Sequence, residues 1–160
     1  MKIVLSILLI LACLYIGITI SGSIKKKKEF WEDVVKLCEY LSQNINFGQK
    51  KLNEILLSYK TICGIKCQSL IDTFVDTKGK RGLLESFENY FFEESEKKLL
   101  LEFFDQIGEL DVYNELAKIQ NYKLRFIKIL DKYSEKSKKF SPLIVKLSLI
   151  FGIAICIVLI

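Results

Sequence analysis

Two apolar runs, Ile3 to Ile20 and Leu143 to Ile160, bracket this chain, and Lys146 is the one charged residue in either of them. Each run is about 18 residues long, which at ~1.5 Å per residue makes a helix of roughly 27 Å, close to the hydrocarbon thickness of a bilayer. A chain of 160 residues that is 51% hydrophobic and 27% charged is not in itself unusual. Concentrating the apolar share at the two ends excludes an ordinary soluble globule and leaves about 115 highly charged residues between two membrane helices. The expected domains are a transmembrane helix at 3–22, a cytoplasmic helical-bundle domain at 25–139 and a second transmembrane helix at 143–160.

Lysine placement sets the orientation. The net charge of +5 falls to a mild excess in the middle, where 22 cations face 19 acids, so no nucleic-acid surface is indicated. The cations cluster where the runs end: Lys25, Lys26, Lys27 and Lys28 follow the first, and Lys136, Lys138 and Lys139 precede the second. Lys2 stands alone on the other side. The excess of lysine beside the middle segment places residues 25–139 in the cytoplasm and both termini across the membrane. A cleaved signal sequence is the main alternative for the first run. Ser21-Gly22-Ser23 supplies small residues, but the lysines just beyond hinder translocation. Ile10-Leu11-Ala12-Cys13 faintly matches a lipoprotein box, yet the apolar run continues past it. Gly17 and Gly22 are five apart and form no GxxxG seam. Lys146 lies one turn inside the cytoplasmic edge. Its stem can return the ammonium to the headgroups, the expected reading beside that of a conduction path or acidic partner. Pro142 is expected at the first turn of a new helical segment, with room for a bend at the junction.

The middle reads as all-α, a bundle of about six helices. Phe30, Val34, Cys38, Leu41 and Ile45 recur at helical intervals as one buried stripe. Asn44 to Gly48 supplies a break. Leu52, Ile55, Leu56 and Tyr59 mark a second helix, and residues 65–77 a third, followed by a loop at Lys78-Gly79-Lys80-Arg81-Gly82. A fourth carries Leu83, Leu84, Phe87, Tyr90 and Phe91. A fifth, capped at Ser95, buries Leu99, Leu100, Phe103, Phe104 and Ile107 and ends near Gly108. The last starts near Asp111, follows Val112, Leu116, Ile119, Tyr122, Phe126 and Tyr133, and runs on to the membrane. No sustained alternation suggests a sheet. The eleven Phe and seven Tyr repeat at helical spacing and belong to the core.

Chemistry finds little to work with. The chain has no histidine, which removes imidazole bases, zinc–histidine sites and histidine triads. Cys63 and Cys67 would share a face of one helix, although Gly64 can break that geometry. Two thiolates do not complete a structural zinc site. Cys13 and Cys156 lie in the spans and Cys38 on the stripe, and in a reducing cytoplasm these thiols behave as small hydrophobes. Glu93-Glu94-Ser95-Glu96 lacks the oxygen spacing and Gly of a calcium loop, and acids are favoured at a helix start anyway. The 78–82 loop lacks the strand and motif of a nucleotide site and reads as a solvated turn near anionic lipid. No catalytic, cofactor or metal site is expected.

Two stretches carry a family resemblance. Leu41 through Asn46-Phe47-Gly48 to Leu52 is similar to an "L…I-x-Y-G…L" turn, with Phe47 in the Tyr position. Phe103 through Asp105, Gly108 and Asp111 is similar to an "F-G-x-x-L-G-x-x-D" corner leading into a long helix. Both are motifs of the stage III sporulation protein AB family of endospore-forming bacteria, which the layout resembles over nearly its whole length. Phe104 replaces a Gly of the family pattern, and Asn44 stands where the family usually has an acid. The resemblance implies a non-catalytic subunit of the secretion-like channel between mother cell and forespore, on the mother-cell side of the cell membrane. The cytoplasmic domain would be similar to the F-type platform domains of type II secretion. The implied partners are membrane lipid and the other proteins of the stage III channel complex, including a cytosolic ATPase, with room for a homo-oligomer. A membrane-anchored regulator or adaptor reading a signal through Glu93 to Glu96 is the runner-up.

Overall fold

The computed structural model describes residues 2–46, 52–77, 92–108 and 112–159. Phe47, Gly48, Asp111, the 78–82 loop and the expected helix at 83–91 lie outside the described residues. Within them the chain is all-α with no strand: α1 Lys2–Asn46, α2 Leu52–Lys60, α3 Ile65–Thr77, α4 Glu94–Gln106 and α5 Val112–Leu159. Five helices are described, and the bundle of about six is not confirmed, because the fourth expected helix lies outside the described residues; the two apolar runs continue the first and last bundle helices rather than standing as separate helices. The chain forms two compact units, one of Phe30–Ile129 and one of Met1–Glu29 with Leu130–Ile160.

The first unit is a bundle with an aromatic core. From α1, Phe30, Trp31, Val34, Leu37, Cys38 and Leu41 are buried at the three- and four-residue spacing that lines one face of a helix. Ile55, Leu56 and Tyr59 of α2, Cys67, Leu70 and Ile71 of α3, and Leu99, Leu100, Phe103 and Phe104 of α4 close over it, with Ile119, Tyr122 and Phe126 of α5. Trp31 packs on Phe126 at 5.6 Å between ring centres, and Phe103 meets Phe126 nearly edge-on at 5.2 Å and 87°. Edge contacts of this kind set the quadrupole of one ring against another and stabilise by ~1 kcal/mol beyond burial. Lys123 of α5 also pairs with Glu39 of α1 at 3.0 Å.

α4 begins two residues earlier than the cap at Ser95 would place it. Its cap is Glu93, whose N–H donates to the carboxylate of Glu96 at 3.2 Å, as in a capping box. A carboxylate three residues into the helix satisfies an orphan backbone donor better than the serine hydroxyl, so Ser95 falls inside the first turn. Glu94 pairs with Lys97 at 2.9 Å.

The second unit pairs the apolar part of α1 with that of α5. The two run antiparallel: Gly17 lies against Ser148, Gly152 against Cys13 and Ile10, and the Ser21 hydroxyl is hydrogen-bonded to that of Ser141. A Cβ built on Gly17 would run into Ser148 Oγ and lie 2.9 Å from its Cβ. The close approach uses small residues four apart, Gly17 with Ser21 and Ser148 with Gly152. A small-residue seam is therefore present without any GxxxG, because serine serves where the second glycine would stand. Gly22, with nothing within 4 Å, takes no part. Pro142 lies inside α5 rather than at the first turn of a new segment. Its ring removes the donor to the carbonyl of Lys138, yet the helix runs on.

Both long helices are long and apolar enough to cross a membrane, with mean hydropathy 2.3 and 2.2. Their apolar stretches are only 11% and 17% buried, whereas the core helix of a soluble protein would be covered. Leu8, Tyr15, Ile16, Phe151 and Ile157 are all more than half exposed, a surface suited to lipid.

Candidate functional site

The α4–α5 corner is the most tightly specified part of the bundle. After α4 ends, Gly108 adopts φ +89°, a conformation that side chains with a Cβ resist. A Cβ there would also meet Leu52 Cδ2 at 3.0 Å. Leu52 opens α2, so residues from the two family-like stretches meet at one point. Gly108 N–H donates to Glu115 Oε1 at 2.8 Å, and Glu115 is 3% exposed. Sequence reasoning missed Glu115. Its only early sign is an acid in the first turn of α5, where the helix dipole favours negative charge.

Gln106 adds two more ties: its side-chain oxygen accepts from the Tyr122 hydroxyl at 3.0 Å, and its carbonyl accepts from Lys118 Nζ at 3.3 Å. Burial, reinforced by Glu102, raises the Tyr122 phenol above its usual range, so the hydroxyl stays a donor. Asp105 is exposed on the last turn of α4. Beside the corner a shallow groove of about 400 Å³ is lined by Gln106, Ala117, Lys118, Asn121, Tyr122 and Arg125.

The α2–α3 junction holds the thiols. Tyr59 donates its hydroxyl to the Asp33 carbonyl at 2.8 Å, and Gly64 N–H donates to Asp33 Oδ2 at 3.0 Å. These two bonds dock the junction on α1. Cys63 precedes α3 and Cys67 lies in its first turn. Both are buried, and the Cys63 thiol donates to the Lys60 carbonyl at 3.7 Å. Interaction between the two thiols holds the Cys63 pKa below its usual value, while the same interaction and then burial push Cys67 far up. Burial raises Cys38 to about 12. Among the described residues no group of three or more His, Cys, Asp or Glu is placed to hold a metal ion. The acidic run at 93–96 is engaged in capping α4, with Glu96 2% exposed.

The lysines expected at the membrane interface lie together in the two-helix unit. Lys25, Lys26, Lys138, Lys139 and Lys146 are exposed, and Lys27 and Lys28 are half-buried. Lys139 pairs with Glu135 at 3.5 Å. Lys27, Lys132 and Lys136 gather around the ring of Tyr133, their ammonium groups 5.5, 5.5 and 5.7 Å from its centre. The sequence marks Tyr133 only as one apolar position of the last helix among many, since periodicity marks that a ring is buried and not what surrounds it.

The described features are a glycine–carboxylate corner, a docked helix junction and a cationic collar beside two apolar helices. The family model described as stage III sporulation protein AB matches residues 2–160, essentially the whole chain. No curated protein and no solved structure matches.

Proposed function

From the premise that the chain belongs to the stage III sporulation protein AB family, we propose that it is a non-catalytic, two-pass membrane platform of the sporulation machinery. The bundle would stand on the cytoplasmic, mother-cell side of the cell membrane. There it would couple a cytosolic ATPase to membrane partners of a secretion-like channel, in the manner of F-type platform domains. The observation that carries this reading is the division of labour within α1 and α5. Each supplies one stretch to an aromatic bundle core and another, apolar and largely uncovered, to a two-helix unit. Such a chain is suited to holding a bundle at a bilayer. The lysines that cluster beside the apolar stretches support the cytoplasmic side. The groove of Gln106, Lys118, Tyr122 and Arg125 offers polar and cationic groups to a protein partner.

Affinity capture of the full chain from detergent-solubilised membranes of sporulating cells tests the proposal. Recovery of the ATPase and membrane proteins of the stage III channel is the expected result. Recovery of a kinase or transcription factor in their place would favour the adaptor reading and overturn this one.

A further inference from the structure

We infer that the outer face of α5 between Tyr113 and Lys128 is a docking surface for an acidic amphipathic helix of a protein partner. One side of this stretch turns Glu115, Ile119, Tyr122 and Phe126 into the bundle, all buried at helical spacing. A row on the other side carries Tyr113, Ala117 and Leu124, which stay exposed, Tyr113 by 80% and Leu124 by 54%. Beside that row Lys118, Asn121 and Arg125 line the groove that α5 forms with Gln106 of α4. An isolated exposed apolar side chain is ordinary. A tyrosine and a leucine in one row, flanked by an arginine, have the composition of an interface.

Charge decides what kind of partner fits. From Val112 to Lys128 the helix holds Lys118, Lys123, Arg125 and Lys128 against Glu115 alone. Lys123 is paired with Glu39, and Glu115 is buried on the Gly108 N–H. Glu102 of α4 stands 3.9 Å from Arg125, beyond hydrogen-bond reach. The guanidinium lies 5.5 Å from the centre of the Tyr122 ring, which steadies it on the groove wall with donors to spare. Lys118 gives one of its donors to the Gln106 carbonyl at 3.3 Å and keeps the others. A carboxylate can therefore be taken at both positions, by the arginine in bidentate fashion.

Lys118 and Arg125 are seven residues apart, about two helical turns or ~10.5 Å. Glutamates at the same interval on a facing helix meet both, and an apolar row next to them covers Tyr113 and Leu124. An extended segment fits less well. The described residues hold no strand whose edge it could join, so its own backbone donors would go unpaired in the groove. The inference rests on the reading that the groove meets a protein partner, and not on which protein that is. Failure of the platform reading shows in the affinity capture, whereas failure of this one shows with peptides alone.

The test places the full chain in phosphatidylcholine nanodiscs and adds labelled helical peptides of about three heptads. The probe has leucine on one row and glutamates seven residues apart on the next, and its anisotropy is read against empty nanodiscs. The wild type is expected to bind it roughly fivefold or more tighter than the same peptide with glutamine, as two charge pairs at a partly covered interface give. Lys118→Gln with Arg125→Gln should remove that preference. Lys118→Glu with Arg125→Glu should transfer it to a lysine peptide, which separates charge from folding. Lys25→Gln with Lys26→Gln, the same charge lost elsewhere, should leave it intact. Tyr113→Ser with Leu124→Ser should weaken both peptides severalfold. No preference in the wild type overturns the inference, as does equal loss from the two glutamine pairs of variants. So does unchanged binding after the serine substitutions, or equal binding of a peptide whose glutamates are scattered around the helix.

Discussion

Gly108 concentrates three constraints in one residue: a positive φ, contact with Leu52, and an N–H held by Glu115. Gly108→Ala is expected to cost about 1–2 kcal/mol from the backbone alone. Gly108→Val should cost more, since a β-branched side chain is an outlier at that φ. Adding Leu52→Ala should relieve the contact but not the backbone strain, so the double variant stays below Leu52→Ala alone in denaturant midpoint. Glu115→Ala removes the acceptor of the Gly108 N–H and should cost ~1 kcal/mol, since Gly108 is exposed and water can take the acceptor's place. Glu115→Gln, which keeps a carbonyl oxygen, should be milder. Gly108 and Leu52 were legible in the sequence because turn chemistry and the family-like stretches point to them. Glu115 was not, since a carboxylate that caps a corner seven residues upstream follows no periodicity.

The thiols make a pH prediction at the same scale. Burial raises Cys38 to about 12, above the value near 8.5 of an unfolded thiol. The folded state therefore keeps a proton that the unfolded state releases. This contribution is fully present below the unfolded pKa and is lost as pH rises toward 12. Urea unfolding followed from pH 8 to 11 should show stability falling with pH. Cys38→Ala should flatten that fall by at most about 1.4 kcal/mol per pH unit.

Among the elements, the two long helices show what pattern reading catches and what it leaves out. Apolar length picked out the two stretches that are long and apolar enough to cross a membrane, and the three- and four-residue spacing identified the bundle stripe of α1. The seam between α1 and α5 is not legible as a GxxxG pattern, since each of its pairs is one glycine and one serine. The unbroken passage of α5 through Pro142 escaped as well, since local propensity charges proline with a break that tertiary packing can override. The seam makes a paired prediction. Gly17→Leu must push into Ser148 and should lower the unfolding midpoint in micelles, by ~1–3 kcal/mol of overpacking. Gly22→Leu faces open space and should leave the midpoint unchanged or raise it, because leucine favours helix over glycine. Equal loss from the two would contradict the seam.

At the scale of the whole molecule, the chain belongs to a sporulation family over residues 2–160. It couples an aromatic bundle to a pair of apolar helices through two shared elements. The platform role proposed for it depends on the bundle being held at the cytoplasmic face. Lysine asymmetry is the ground for that side, and protease accessibility measures it without further assumption. Proteinase K added to intact protoplasts expressing the chain with an epitope inserted in the bundle should leave residues 25–139 whole, and should degrade them once the membrane is opened by detergent. Digestion of the bundle in unopened protoplasts would contradict the account.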